Sequence, residues 1–185
     1  MNTALLLGAL LLSDAKSVGL QVGDFVSPFE PYHVTGPYAE TRMCPVCEWA
    51  MLPMVFIWSN GAEPSTLSSV VGTVQKAVQS VPNKKVKAFF VDVNAEGKDA
   101  ASRDRVATWA KAWNAPDVYA MSRLGSMKAS LKDYKIDDLK SWTIQIYTVR
   151  NRRVVSTFDP DKAGELARLS EAIASLAAPI RNPEN

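Results

Sequence analysis

The sequence has few of the residues that most enzymatic chemistry requires. Its 185 residues include one histidine, His33, and two cysteines. A single histidine without a surrounding serine and aspartate pattern argues against a Ser-His-Asp hydrolase, and no phosphate-cradling glycine loop is present. The acidic pairs Asp137-Asp138 and Asp159/Asp161 lie at predicted turns or helix caps, where carboxylates usually bind backbone N–H groups. Hydrolytic and phosphate-binding functions are therefore disfavoured.

The chain also lacks a strong charge and a long apolar run. A net charge of +2 is too small to indicate a nucleic-acid or membrane-surface partner. The run Ala4–Leu12 is too short to span a bilayer but has the length of a signal-peptide core, and Ser13, Ala15 and Ser17 are small enough for a cleavage site. We expect residues 1–17 to be a signal peptide, or else an N-terminal helix. The expected location is extracytoplasmic (periplasmic or secreted), but the missing basic leader leaves a cytoplasmic location open.

The two cysteines, Cys44 and Cys47, form the tetrad CPVC. The C-x-x-C spacing is typical of dithiol redox sites, because the two sulfurs can close a small, reducible ring. On this reading Cys44 is the attacking thiol and Cys47 the resolving thiol, with Pro45 stiffening the loop. The charges of Arg42 and Glu48 beside them should roughly cancel. The expected partner is a protein thiol or disulfide.

Two other interpretations of the tetrad stay open. An inert disulfide would stabilise the chain only modestly, because its loop is short. Structural zinc needs four ligands, which two cysteines and one histidine do not supply. Copper(I) is harder to exclude, because Met43, Met51 and Met54 flank the thiols, although methionines beside a strand are more often core residues. We predict no bound cofactor and no resident metal.

Hydrophobic periodicity predicts the order β-α-β-α-(β)-α-β-β-α. The apolar runs Met54–Trp58 and Val86–Val93 predict two buried parallel strands joined by a helix with Ser65 as its N-cap. A second helix is expected over Lys98–Trp113. A short strand, a further helix and a hairpin with its turn at Arg150–Arg152 follow. A last helix should open at Asp159-Pro160. The arginines of the hairpin turn are interpreted as a solvated tip.

Several stretches in this order resemble the thioredoxin fold, and in particular its redoxin branch of peroxiredoxins and exported thioredoxin-like proteins. They are VGDFVSPFEPYHVTG, MVFIWSN, FFVDVN, and GSMKASLKDYKI followed by WTIQIYTVRNRRVVSTF. The resemblance implies an α/β fold: a three-layer α/β/α sandwich with a central mixed sheet, a closing antiparallel hairpin and a C-terminal helix. It divides the chain into an irregular lead-in with CPVC (18–53), a thioredoxin-like domain (54–178) and a tail (179–185).

The sequence departs from this family at its usual active site. WSNGAEPS follows the central strand, so Ala62 and Ser65 stand where the family has its two cysteines. Ser141-Trp142-Thr143 occupies the region of the family's cis-proline. The expected function is therefore thiol–disulfide exchange through CPVC as a separate feature in an exported protein. The alternative is a non-catalytic binding or scaffold module with a structural disulfide. The oligomeric state stays open.

Overall fold

A six-stranded mixed sheet forms the centre of the computed structural model, which describes residues 18–93, 99–123 and 127–178. The strand order is β1-β4-β3-β2-β5-β6. The strands are β1 (Tyr32–His33), β2 (Met54–Ser59), β3 (Lys87–Asp92), β4 (Val118–Ser122), β5 (Ile144–Arg150) and β6 (Arg153–Phe158). The helices are α1 (Pro45–Glu48), α2 (Pro64–Ser80), α3 (Asp99–Trp113), α4 (Lys128–Asp133) and α5 (Glu165–Leu176), with a short 3₁₀ turn at Pro82–Lys84. The predicted signal segment 1–17 and tail 179–185 lie outside the described residues.

The two long apolar runs form the middle of the sheet. β2 and β3 are parallel, with Met54 opposite Lys87 and Ser59 opposite Asp92, which confirms the predicted pairing. Every residue of β2 is buried, because helices or packed loops cover both faces of the sheet. β5 runs antiparallel to β2 and is joined to β6 by the closing hairpin. The amino ends of β2, β3 and β4 therefore lie at one edge of the sheet, and their carboxyl ends lie at the other.

The two faces of the sheet carry separate apolar cores. On one face, Val55, Ile57 and Phe90 pack with residues of α2, α3 and α5. On the other, Met54, Phe56 and further large side chains pack with α4, the lead-in and the segment around α1. Burial of each such side chain stabilises the fold by roughly 1.5–3 kcal/mol. The α/β/α layering expected from the sequence is confirmed.

Two helix starts differ from the predictions. α2 begins at Pro64 with Glu63 as its N-cap, rather than after Ser65, because proline is well suited to the first helical position, where no N–H is needed. α5 begins at Glu165 after Gly164, five residues later than Pro160. Gly164 has a φ of 81°, a left-handed conformation that glycine adopts without steric cost.

The arginines at the β5–β6 turn are half-buried or exposed, which agrees with the predicted solvated tip, and they also make specific contacts. Arg150 donates hydrogen bonds to the carbonyls of Leu176 and Ala178 at the end of α5. Arg153 donates to the Gly23 carbonyl at 2.9 Å, and the Arg152 guanidinium lies 4.7 Å from the centre of the Phe25 ring. These side chains join the hairpin to the last helix and to the lead-in.

The described part of the chain contains no helix that is both long enough and apolar enough to cross a bilayer.

Candidate thiol–disulfide site

Cys44 and Cys47 form a disulfide in the first turn of α1. Cys44 is the N-cap of this four-residue helix, and the helix begins at Pro45 because proline suits its first position. The two Cα atoms are 5.3 Å apart, within the ordinary range for disulfides. The Cys47 N–H donates to Cys44 Sγ at 3.1 Å. The tetrad predicted from the sequence is therefore a closed ring at a helix start.

The two cysteines differ in accessibility. Cys47 is exposed, whereas Cys44 is half-buried and packs against the core on the α4 side of the sheet. Pro45 and Val46 between them are buried, so they anchor the ring to the protein. A partner can therefore reach the Cys47 side of the disulfide directly. Neither cysteine lines the two clefts described below.

Trp49 follows the disulfide and is the centre of a cluster of aromatic rings. Its ring lies 5.1 Å from that of Phe89, 5.8 Å from Tyr119 and 5.5 Å from Tyr38, measured between centroids. Phe89 lies in β3 and Tyr119 in β4, so Trp49 fixes the disulfide segment over the amino-terminal part of these strands. Because the cysteines come shortly before β2 in the chain, they lie near the amino ends of the strands.

A tyrosine and a glutamate lie next to the ring. The Tyr38 hydroxyl donates to the Glu48 carboxylate, and this hydrogen bond is the main reason that the pKa of Tyr38 is raised above its ordinary value. The prediction that the charges of Glu48 and Arg42 roughly cancel does not include this hydrogen bond. Arg42 is exposed. Because Tyr38 and Glu48 are ten residues apart in an irregular segment, no local pattern predicts that they meet.

The side chain of His33 holds the segment that carries the disulfide. It is fully buried, and one ring nitrogen, Nε2, forms a 3.0 Å hydrogen bond with the carbonyl of Met43, the residue before Cys44. Burial lowers the pKa of His33, and the hydrogen bond to Met43 opposes this shift only in part. The sequence identified His33 as the one histidine but did not predict this supporting role.

The methionines of the copper hypothesis lie in different environments. Met54 is fully buried in the sheet core, whereas Met51 is 90% exposed and Met43 is half-buried. Among the described residues, no group of three or more histidine, cysteine, aspartate and glutamate side chains is arranged to hold a metal ion. The three thioethers therefore differ widely in exposure.

The place of the usual thioredoxin site is occupied by other interactions. Ala62 is buried and Ser65 is exposed in the first turn of α2. Asn60 donates from its backbone N–H to the Thr143 carbonyl at 2.7 Å and from its side chain to the Trp142 carbonyl at 3.3 Å. Every peptide bond between described residues is trans. Asn60 thus joins the end of β2 to the loop before β5, where the family has its cis-proline.

Comparison with solved structures shows the class of fold. The chain is similar to the thioredoxin domain of a thiol-disulfide oxidoreductase from Bacteroides vulgatus, with a TM-score of 0.63 and 10% identity over 84% of this chain and 99% of that one. It is also similar to the peroxidoxin BcpB from Mycobacterium tuberculosis, with a TM-score of 0.61 and 12% identity over 88% and 100% of the two chains. ScoI with copper bound from Arabidopsis thaliana has a TM-score of 0.60 and 10% identity over 84% and 98%.

These similarities confirm the thioredoxin-like fold predicted from the sequence. At these identities the similarity is one of fold. No protein-family model matches the chain, and no curated protein matches it in sequence.

Proposed function

We propose that this protein exchanges disulfides with protein partners through Cys44 and Cys47. The observation that carries the proposal is a surface disulfide with one exposed sulfur-bearing residue, Cys47, and a backbone N–H donor directed at the other sulfur. Accessible disulfides with a stabilised leaving thiolate exchange readily, whereas buried ones are inert. The thioredoxin-like fold supports this class of chemistry by analogy alone.

The difference in exposure between Cys47 and Cys44 supports different roles for the two cysteines. A partner thiolate attacks the exposed Cys47 sulfur, a mixed disulfide forms there, and Cys44 leaves as a thiolate that accepts the Cys47 N–H. In the reverse direction, reduced Cys47 attacks the partner and Cys44 resolves. This order is opposite to the sequence prediction, in which Cys44 attacks, and that prediction remains the alternative.

Trapping of the mixed disulfide tests both the function and the order. Reduced Cys44→Ser and Cys47→Ser variants are each incubated with a synthetic peptide disulfide, and the products are identified by mass spectrometry. If Cys47 attacks, Cys44→Ser accumulates the mixed disulfide and Cys47→Ser does not. If Cys47→Ser accumulates the mixed disulfide and Cys44→Ser does not, Cys44 is the attacking thiol, as the sequence predicts. If the reduced parent protein leaves the peptide disulfide unreacted, the exchange function is rejected.

The alternative function is a non-catalytic binding module with a structural disulfide. The ring closes only a four-residue segment, so its removal should cost at most about 2 kcal/mol of stability. A Cys44→Ser/Cys47→Ser double variant that loses exchange but keeps nearly all of its unfolding free energy supports exchange. A parent without exchange, together with a much larger loss of stability in the double variant, supports the structural alternative.

We also propose that the protein is exported, with residues 1–17 as its signal peptide and 54–178 as the thioredoxin-like domain. An oxidising compartment favours a closed Cys44–Cys47 ring at rest. Expression of the full chain, followed by N-terminal sequencing of the extracytoplasmic fraction, tests this. A mature N-terminus near residue 18 supports it, and an uncleaved chain in the cytosol contradicts it.

A further inference from the structure

The surface beside Cys47 is rich in aromatic and thioether groups. Tyr38, Trp49 and Tyr119 are each half-buried, so their rings form the core cluster on one side and face solvent on the other. Met51, two residues after Trp49, is 90% exposed. Tyrosine, tryptophan and methionine are enriched where proteins contact each other, because they bury a large area at a small entropic cost. We call Tyr38, Trp49, Met51 and Tyr119 the aromatic shelf.

A cleft of about 410 Å³ lies at the same amino ends of the strands but on the α3 side of the sheet, whereas Trp49 and Tyr119 pack on the α4 side. It is lined by Gly36, Trp113, Ala115, Pro116 and Val118, among others. Val118 is the first residue of β4 and pairs with Ala88 near the start of β3, so the cleft adjoins the amino ends of the parallel strands. Its volume is in the range of sites that hold small ligands or amino-acid side chains.

The shelf connects the disulfide to this cleft. Glu48, which follows Cys47, binds Tyr38, and Gly36 lies two residues before Tyr38 in the chain. The backbone of Gly36 packs directly against the Tyr119 ring, since a Cβ at this position would lie 2.8 Å from ring atoms. Gly36 lines the cleft and contacts Tyr119, so an elongated ligand that runs from the sulfur over the shelf passes Gly36 to reach the cleft on the α3 side.

We infer that a polypeptide disulfide docks along this edge, with its sulfur at Cys47, its backbone across the aromatic shelf and an apolar side chain in the cleft beside Trp113. This inference rests on the proposed exchange function and adds a docking surface at the amino ends of the strands. Another cleft, of about 720 Å³, is lined by Thr143, Ile144 and Glu165 among others, at the carboxyl end of β2, and does not take part.

The exchange balances without a further reagent. The reduced protein supplies two thiols; one, as a thiolate, attacks the peptide disulfide, forms a mixed disulfide and releases the first peptide thiolate, which takes a proton. The second cysteine then attacks the mixed disulfide, closes the Cys44–Cys47 ring and releases the second peptide thiol. The protein dithiol is oxidised by two electrons, and the peptide disulfide is reduced by two.

The test compares the rate of exchange with a peptide disulfide to the rate with a small-molecule disulfide. The probes are a synthetic peptide disulfide with leucines flanking the cysteine, the same peptide with serines in place of leucines, and hydroxyethyl disulfide. Met51→Asp makes the shelf polar, and Ala115→Trp fills the cleft. Each should lower the second-order rate constant for the leucine peptide about ten-fold and leave that for hydroxyethyl disulfide unchanged. The serine peptide should react slowly with the parent and show no further loss with the variants.

The control is Val155→Asp in β6, which introduces the same charge at a residue that is 43% exposed, on the outer strand of the sheet that is farthest from β1 and β4. It should leave all rates unchanged. Equal losses for the peptide and for hydroxyethyl disulfide in Met51→Asp, or no loss in either variant, overturn the docking surface. Because Met51 is almost fully exposed, this variant remains informative if Ala115→Trp does not fold.

A binding measurement separates docking from exchange. A fluorescent leucine peptide with serine in place of cysteine cannot react, and its anisotropy with the oxidised protein reports binding alone. Weaker binding to Met51→Asp than to the parent and to Val155→Asp supports the docking surface, even if the parent fails to reduce the peptide and the exchange proposal falls. Equal affinities for the three proteins overturn the docking surface, even if exchange proceeds.

Discussion

At the scale of single residues, Gly19 is the glycine whose replacement the structure most clearly forbids. Its φ is 86°, and a Cβ placed on it would lie 2.1 Å from the Tyr147 hydroxyl oxygen and 2.8 Å from Gln145 Oε1. Tyr147 is buried and its hydroxyl accepts the Leu20 N–H. We expect Gly19→Ala to lower the unfolding free energy by about 2–4 kcal/mol, from backbone strain and overpacking together, as measured by urea denaturation.

Gly23 provides the matched control for this substitution. Its φ is 92°, close to that of Gly19, but a Cβ there would meet no atom within 4 Å. Gly23→Ala should therefore carry only the backbone strain, about 1–2 kcal/mol. The difference between the two variants measures the contact with Tyr147. Equal losses would show that the lead-in shifts away from Tyr147 without cost.

The candidate site could be predicted from the sequence only where its signal is local. Cys44 and Cys47 are three residues apart, and that spacing alone identifies a possible ring. The bond from Tyr38 to Glu48 and that from His33 to Met43 each span ten residues of irregular chain, where no period constrains which side chains meet. Exposure of Cys47 also depends on tertiary packing, so the difference between the two sulfurs was not predictable.

At the scale of elements, the strands were predicted more accurately than the helix ends. The run Met54–Trp58 predicts β2 to within one residue, because a strand buried on both faces must be apolar throughout. Asp159-Pro160 carries the usual signals of a helix start and so predicts α5 five residues too early, because the chain forms a turn there before the helix begins at Glu165. In that turn Lys162 pairs with Asp159 at 3.2 Å, and Glu165 accepts the Asp159 N–H.

The end of α5 depends on the neighbouring hairpin through Arg150. Its guanidinium donates to the carbonyls of Leu176 and Ala178, groups that a helix end leaves without partners inside the helix. We expect Arg150→Ala to lower the unfolding free energy by about 1–2 kcal/mol and to speed amide exchange in the last turn of α5. Urea denaturation and hydrogen exchange measure the two effects.

Arg150→Lys keeps the positive charge but not the planar fork of donors, so it should lose only part of this stability. A full loss in the lysine variant would indicate that geometry, rather than charge, is responsible. An unchanged midpoint and unchanged exchange in Arg150→Ala would show that the hairpin does not hold the helix end.

At the scale of the whole molecule, the candidate site lies at the unusual edge of the sheet. Ligand sites in α/β sheets normally gather at the carboxyl ends of the strands. Here that edge is held by Asn60 contacts to the loop before β5, and the disulfide lies at the amino ends, over Phe89 and Tyr119 through Trp49. The sheet therefore supports the disulfide, whereas both cysteines belong to the lead-in.

His33, which forms a hydrogen bond with Met43 just before the disulfide, should make the unfolding free energy depend on pH. Burial lowers its pKa in the folded state below the value of about 6.5 expected for the unfolded chain. Below pH 6.5 the unfolded chain therefore binds more protons at this residue than the folded protein, and the unfolding free energy falls as the pH falls. The slope for one proton is at most about 1.4 kcal/mol per pH unit. Urea denaturation between pH 7.5 and 5 should show this loss, in steps of about 0.5 pH units.

His33→Gln isolates the effect, because His33 is the sole histidine of the chain and glutamine does not titrate. Aspartate and glutamate in model peptides titrate near pH 4, and hydrogen bonds lower the pKa of Asp24 and Glu165 below their ordinary values, so these two carboxylates contribute mainly below this window. The variant should be less stable at pH 7.5 but nearly insensitive to pH down to 5. A parent whose stability stays constant or rises on acidification, or a variant with the same slope as the parent, contradicts a buried neutral His33 as the origin.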